Sequence, residues 1–289
     1  MDLPEIRKLR AVILYSAGHA GSAIVLNIMD EAPDIEIVGI VRAPPLKTKN
    51  LKEDMRRMGW RFSWLLLWQR VVQMIVFALA IFLRPWLWRK LLLPGWYLAR
   101  QKQIPVKSCR NINHPNIENF MRAQQPDIII SAFFNRILKQ NIIAIPRLGV
   151  LNIHPGWLPD YKGVMNYFWV LKNNDASAGV TLHWINEGID TGDIISRRRF
   201  IIHPDTTQHQ VLVKAATIGG RMAVSAARKL ARGEPLPALD QTQMAHPQSY
   251  FGMPAEQDFE AYFAKRRFFR IRDVLGTALR RIWRKRPSA

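Results

Sequence analysis

The sequence of 289 residues holds one cysteine, Cys109. That excludes an internal disulfide framework and fits a reducing compartment, with the thiol itself read as inert. Acid is also scarce: 22 Asp and Glu stand against 42 Lys and Arg, a formal charge of +20. Such an excess calls for an anionic partner, but charge alone does not choose among phospholipid, nucleic acid and a phosphorylated substrate. Residues 1–10 are charged rather than apolar, so no secretory leader is expected there. His183, His203 and His209 lack ligand spacing, and no metal is expected. The Gly18-x-x-Gly21 turn falls short of a dinucleotide fingerprint and reads as a tight turn. Apolar residues are not scarce; at 48% they exclude global disorder.

Short apolar runs alternate with helical patterns. Strands are expected at 11–15, 35–41, 127–132, 149–154, 179–184 and 193–199, with helices over 21–30, 116–125, 136–144 and 207–232. The β-loop-α-β opening predicts an α/β fold with a Rossmann-like, mostly parallel sheet. The division expected is a catalytic domain over 1–43 and 104–235, a helical insert over 44–103 and an extension over 236–289.

The insert holds six of the ten tryptophans, Trp60, Trp64, Trp68, Trp86, Trp88 and Trp96. Its apolar centre at 71–83 lies between Arg70 and Arg84. As a helix that centre is about 20 Å long, short of a bilayer core of about 30 Å. Extending it back to Phe62 reaches spanning length but brings in Gln69 and Arg70. Both ends of the insert join strands assigned to one sheet, so a single crossing is excluded. An interfacial or re-entrant membrane anchor and a helical hairpin packed on protein both remain open. The extension ends in two stretches, 265–272 and 279–286, that interleave cations with Phe, Ile, Leu and Trp. They suit an anionic membrane surface better than nucleic acid, and a solvated helix is the alternative.

The richest stretch is LNIHPGWLPD at 151–160, with IDTGDI following at 189–194. Asn152 and His154 alternate along a strand, so their side chains point the same way. An amide donor, an imidazole and a later carboxylate, Asp190, suit acyl transfer to an amine. Asp193 is a rival carboxylate, better read as a turn residue.

This ordered set resembles the folate-dependent formyltransferase family, which includes methionyl-tRNA, glycinamide ribonucleotide and sugar N-formyltransferases. Its hallmark is Asn-x-His near Leu-Pro-x-x-x-Gly, here 158–163, and a later Asp-x-Gly. The resemblance implies Asn152, His154 and Asp190 as the catalytic trio and 10-formyltetrahydrofolate as formyl donor. It implies donor binding on two loops, by Ala132, Phe133, Phe134 and Ile137 and by Asn186, Glu187 and Gly188. The first loop has Phe134 and Asn135 where the family has a Gly after an aromatic. Pro159, Lys162 and Gly163 shape the substrate loop, with Asn166 where Pro is frequent.

Only 57 residues follow Arg232, which disfavours the appended barrel of transfer-RNA formyltransferases. The run 249–252 (SYFG) resembles sugar-nucleotide enzymes. The expectation is an amino sugar or lipid-linked amine acceptor at the cytoplasmic membrane face, the protein being peripheral or monotopic there and oligomerisation left open. A formyltetrahydrofolate hydrolase and a catalytically retired membrane-associated scaffold are the alternatives.

Overall fold

The structure, a computed structural model, describes residues 8–44, 55–56, 58–83, 91–244, 248–266 and 268–279. Trp86, Trp88 and the second basic stretch beyond Leu279 lie outside the described residues.

The chain runs β1 (Leu9–Ser16), α1 (Ala20–Asp30), β2 (Ile35–Ala43), α2 (Trp60–Phe82), α3 (Gly95–Gln101) and β3 (Val106–Ser108). It continues through α4 (Pro115–Ala123), β4 (Ile128–Ala132), α5 (Gln140–Ile143), β5 (Val150–His154), β6 (Lys162–Gly163) and α6 (Asn166–Lys172). Then come β7 (Ser177–Trp184), β8 (Ile194–Ile201), α7 (Gln208–Ala231), β9 (Tyr250–Phe251), α8 (Glu256–Phe263) and α9 (Ile271–Ala278).

Seven strands form one sheet in the order β3-β2-β1-β4-β5-β7-β8. Pairing is parallel from β3 to β5, and antiparallel at β5–β7 and β7–β8. β1 lies between β2 and β4, which is why LRAVILYS reads as a nearly continuous apolar run. α7 begins at Thr207 in a reciprocal capping box with Gln210 and crosses closely behind β5. A Cβ on Gly219 would come within 2.3 Å of Ile153, so glycine permits this approach and thereby seats the strand that carries Asn152 and His154.

One helix predicted from sequence is mostly absent. Residues 133–139 form an irregular loop, and only Gln140–Ile143 is helical. Tertiary hydrogen bonds outcompete the local ones: Asn113 donates from Nδ2 to the Ile137 carbonyl (3.0 Å) and accepts from the Lys139 amide (2.8 Å).

Residues 91–101, read as part of the insert, pack on the sheet layer. Leu92, Leu98 and Ala99 join the main core, the Asn27 side chain bonds both polar groups of the Leu93 backbone, and Gly95 lies against Tyr15. The first basic stretch is also tied down. Phe268 is buried in the core, Arg266 donates to the His203 and Pro204 carbonyls, and buried Asp273 accepts from Thr207 and Gln210.

Candidate active site

β5 ends at the carboxyl edge of the parallel strands, where open α/β sheets place ligands. Asn152 and His154 project from one face of this strand, and Asp190 approaches from the turn between β7 and β8. The His154 Nδ1 lies 3.4 Å from the Asp190 carboxylate. His154 Nε2 donates to the Tyr161 carbonyl at 2.7 Å. With acceptors at both ring nitrogens, the imidazolium form is hydrogen-bonded on both sides. Burial alone would depress the His154 pKa, but the Asp190 charge and hydrogen bond, with the Tyr161 carbonyl, raise it above its ordinary value. Burial likewise works against the Asp190 charge. His154, His183 and the Gly163 amide nevertheless hold that carboxyl well below the usual carboxylate range.

Asp190 adopts φ +52°, and its second carboxylate oxygen accepts from the Gly163 amide at 2.9 Å. Gly163 itself has φ +97°, and a Cβ there would come within 2.2 Å of the Phe251 carbonyl. Its glycine is therefore required twice, by conformation and by the β6–β9 pairing. Phe133, Tyr161 and Met165 also have positive φ, so left-handed backbone clusters around the trio.

Two residues escaped the sequence reading of the site. His183 pairs with Asn152 in the β5–β7 register, and Asn152 Nδ2 donates to its Nε2 at 3.1 Å. The opposite ring nitrogen of His183 donates to the Trp184 carbonyl at 2.7 Å, which makes Nε2 the acceptor. Burial pushes the His183 pKa down to about 4 despite the attraction of Asp190, so this imidazole is neutral. Asn166, fully buried at the start of α6, places its side-chain amide 3.0 Å from His154 Nε2. Alternation along β7 would have put His183 and Thr181 on one face, but only strand register brings that face to Asn152. His154, His183 and Asp190 each turn one potential ligand atom into a group spanning 4.8 Å. The hydrogen bond from Asn152 occupies the His183 atom of that group.

The remaining expected residues divide. Pro159 is buried and follows a cis peptide bond. Lys162 is buried with its ammonium on Gln248 at 3.1 Å, so it anchors the loop instead of reaching outward. The Ala132 and Phe133 carbonyls accept from Ser22 and Ser16, which tie this loop to the start of α1. Phe134 packs against the second core cluster, whereas Ile137 is exposed. Asn186, Glu187 and Gly188 form an exposed turn in which the Asn186 side chain accepts from Gly188 and Thr191. Asp193 is exposed, as its turn reading expects. A cavity of about 270 Å³ beside Tyr161, bordered by Trp157, Asp175 and Arg199, is not lined by any of the trio.

Residues 94–227 match the family model described as formyl transferase. That stretch of the chain is similar in sequence to formyltransferases. Methionyl-tRNA formyltransferase of Dehalococcoides mccartyi (strain CBDB1) is 34% identical over 160 residues, 55% of this chain and 50% of that protein. The chain thus covers about half the length of such curated relatives. Among solved structures, the N-formyltransferase of Helicobacter canadensis, in complex with folinic acid and dTDP-3-aminofucose, superposes with a TM-score of 0.53. It is 19% identical, over 87% of this chain and 72% of its own. Phosphoribosylglycinamide formyltransferase of Anaplasma phagocytophilum gives a TM-score of 0.55 at 15% identity, over 86% of this chain and all of its own. At such identities these likenesses establish the formyltransferase fold. The family match begins at residue 94, beside the segment that packs into the core, and excludes α2.

Proposed function

We propose that this chain is an N-formyltransferase that moves a formyl group from 10-formyltetrahydrofolate to a primary amine. The observation that carries this reading is the meeting of Asn152, His154 and Asp190 at one strand end, with Asp190 favouring the protonated form of His154. The bound folate supplies an electrophilic formyl carbon. Asn152 and the His154 imidazolium are donors suited to negative charge developing on the formyl oxygen. Asp190 fixes the ring and keeps its proton available, so that a proton can return to the departing nitrogen.

The loops flanking the trio fit a flat heteroaromatic donor. Ile137 and Ile189 expose apolar surface there, and the backbone of 134–137 and 186–188 lies at the surface. Folinic acid in the Helicobacter canadensis structure supports the same reading. The acceptor is taken to be an amino sugar or a lipid-linked amine, used at the cytoplasmic face of a membrane. The dTDP-3-aminofucose bound by that neighbour supports the amino-sugar half of this proposal. So does the seating of residues 249–251 on the substrate loop: Tyr161 donates to Ser249 and β9 pairs with β6.

Calorimetric titration of the full chain with 5-formyltetrahydrofolate, a stable analogue of the donor, tests the reading. Saturable binding is expected, followed by formylation of amino sugars presented with 10-formyltetrahydrofolate. Folded protein that binds no folate sinks the proposal in favour of a retired scaffold. Release of formate without any acceptor requirement identifies a hydrolase instead.

A further inference from the structure

We infer that α2 is a lipid-docking helix that lies in the plane of an anionic bilayer with one face buried in protein and the other in lipid. Trp60, Trp64, Leu67, Trp68, Met74, Ile75, Leu79 and Phe82 are all at least half exposed, with Phe82 at 77%. At about 100° per residue, these eight fall within an arc of about 140° on the helix. Arg61 sits at the edge of this arc, and the other polar residues lie outside it. Ser63 donates to the Gly59 carbonyl, the Arg70 guanidinium rests against Gly18, and Gln73 Nε2 is buried on the protein side. Gln69, between them, is half-buried. A helix of a water-soluble surface places its polar residues outward. In α2 the uncharged polar side chains lie off the exposed face and the exposed Arg61 and Arg70 flank it, as expected where the outer solvent is hydrocarbon bordered by headgroups.

The stretch Trp60–Leu79 is long and apolar enough to cross a membrane, but only 17% of it is buried within the protein, so it is not a core helix. Nor is it free to cross alone. Phe62 near its start stacks on Phe259 and meets Phe268 edge-on. Val72 and Val76, further along, pack with Val274 and Ala278 of α9. Contacts spaced over about four turns hold the axis along the body of the domain. The uncovered face can thus reach lipid only sideways.

Charge selects the occupant. A second copy would bring another +20 against this one, whereas an anionic leaflet attracts it. Arg56 and Arg61 are exposed at the entry of α2, beside Trp60, Trp64 and Trp68. Indoles and guanidinium groups in that combination belong at the headgroup layer. This inference stands apart from the proposed chemistry, since lipid binding needs neither folate nor acceptor.

The test is flotation of the full chain with vesicles of phosphatidylglycerol and phosphatidylcholine, and with phosphatidylcholine alone. Tryptophan quenching by shallow and deep brominated lipids reports depth. Binding to the anionic vesicles is expected, with stronger quenching by shallow bromines. Trp64→Glu with Ile75→Glu should weaken binding at least tenfold, while thermal unfolding in detergent stays unchanged because both positions face outward. Several results would overturn the inference: no flotation, equal binding to neutral vesicles, or dominant deep quenching, which is what a spanning helix gives. A dimer in solution that the double variant dissociates would assign the face to a second copy.

Discussion

The Asn152 amide donates to His183 Nε2 at 3.1 Å across the antiparallel pairing of β5 and β7. A buried neutral histidine thereby aims the amide assigned to the developing oxyanion, while its neighbour His154 has its pKa raised by Asp190. Two imidazoles with ring centroids 6.1 Å apart have their pKa values moved in opposite directions, His183 down by burial and His154 up by Asp190. His183→Leu removes the acceptor and lets the amide rotate. One orienting hydrogen bond is worth about 1 kcal/mol, so kcat should fall about fivefold while folate affinity, read by calorimetry, is retained. An unchanged kcat would detach His183 from the site.

Asn152→Ala removes a donor outright and should lower kcat by about 10²–10³-fold. Steady-state formylation assays separate this from KM, which should change little.

Asp190→Asn removes the interaction that overcomes burial of His154. The imidazole should then titrate below its ordinary value instead of above it. The alkaline limb of the rate profile therefore moves toward acid, and kcat at neutral pH drops by about 10²-fold or more. Ring-proton NMR of His154 reads the same shift directly; an unmoved titration contradicts the pairing.

Stability should decline in mild acid. His183 and His209 are both held down to about 4 by burial, against the ordinary imidazole value of 6.5. Their contribution is complete above pH 6.5, where both folded and unfolded forms are neutral. It is lost as pH falls toward 4, because the unfolded chain takes up protons first. His154 has the opposite sign, contributing below 6.5 and losing that contribution as pH rises through its raised pKa. Thermal unfolding between pH 4 and 8 should show Tm falling on the acid side. His209→Gln, which keeps a partner for Thr277, should flatten that fall.

Gly163→Ala and Gly233→Ala should differ sharply. Both glycines have positive φ, but a Cβ at Gly233 meets nothing within 4 Å. Its substitution should cost about 1–2 kcal/mol from conformation alone. At Gly163 the added clash with Phe251 and displacement of the amide from Asp190 should cost about 3 kcal/mol or more and abolish transfer. Urea unfolding of the two variants makes the comparison.

The trio was legible in sequence because its members sit at short, ordered spacings on a strand end and a turn. Period-two alternation fixes the relative direction of Asn152 and His154 whatever the rest of the fold does. The central strands were legible for a similar reason: strands covered on both faces read as continuous apolar runs. The segment 133–139 was not, since its irregular path depends on Asn113, and local propensity carries no trace of that partner. Lys162 shows the same limit. Its position beside Gly163 placed it on the substrate loop, but only the distant Gln248 decides where its ammonium goes.

The sequence by itself determined the chemistry available, namely an amide, an imidazole and a carboxylate in order, together with a basic chain bearing a tryptophan-rich apolar segment. Those follow from residue identity and local period. The tertiary structure decided which histidine has its pKa raised and which has it lowered, because that rests on burial and on partners 7 to 36 positions away. It also decided which face of α2 is left uncovered: the apolar pattern runs all round that helix, and only the packing of Phe62, Val72 and Val76 on α8 and α9 distinguishes inside from outside.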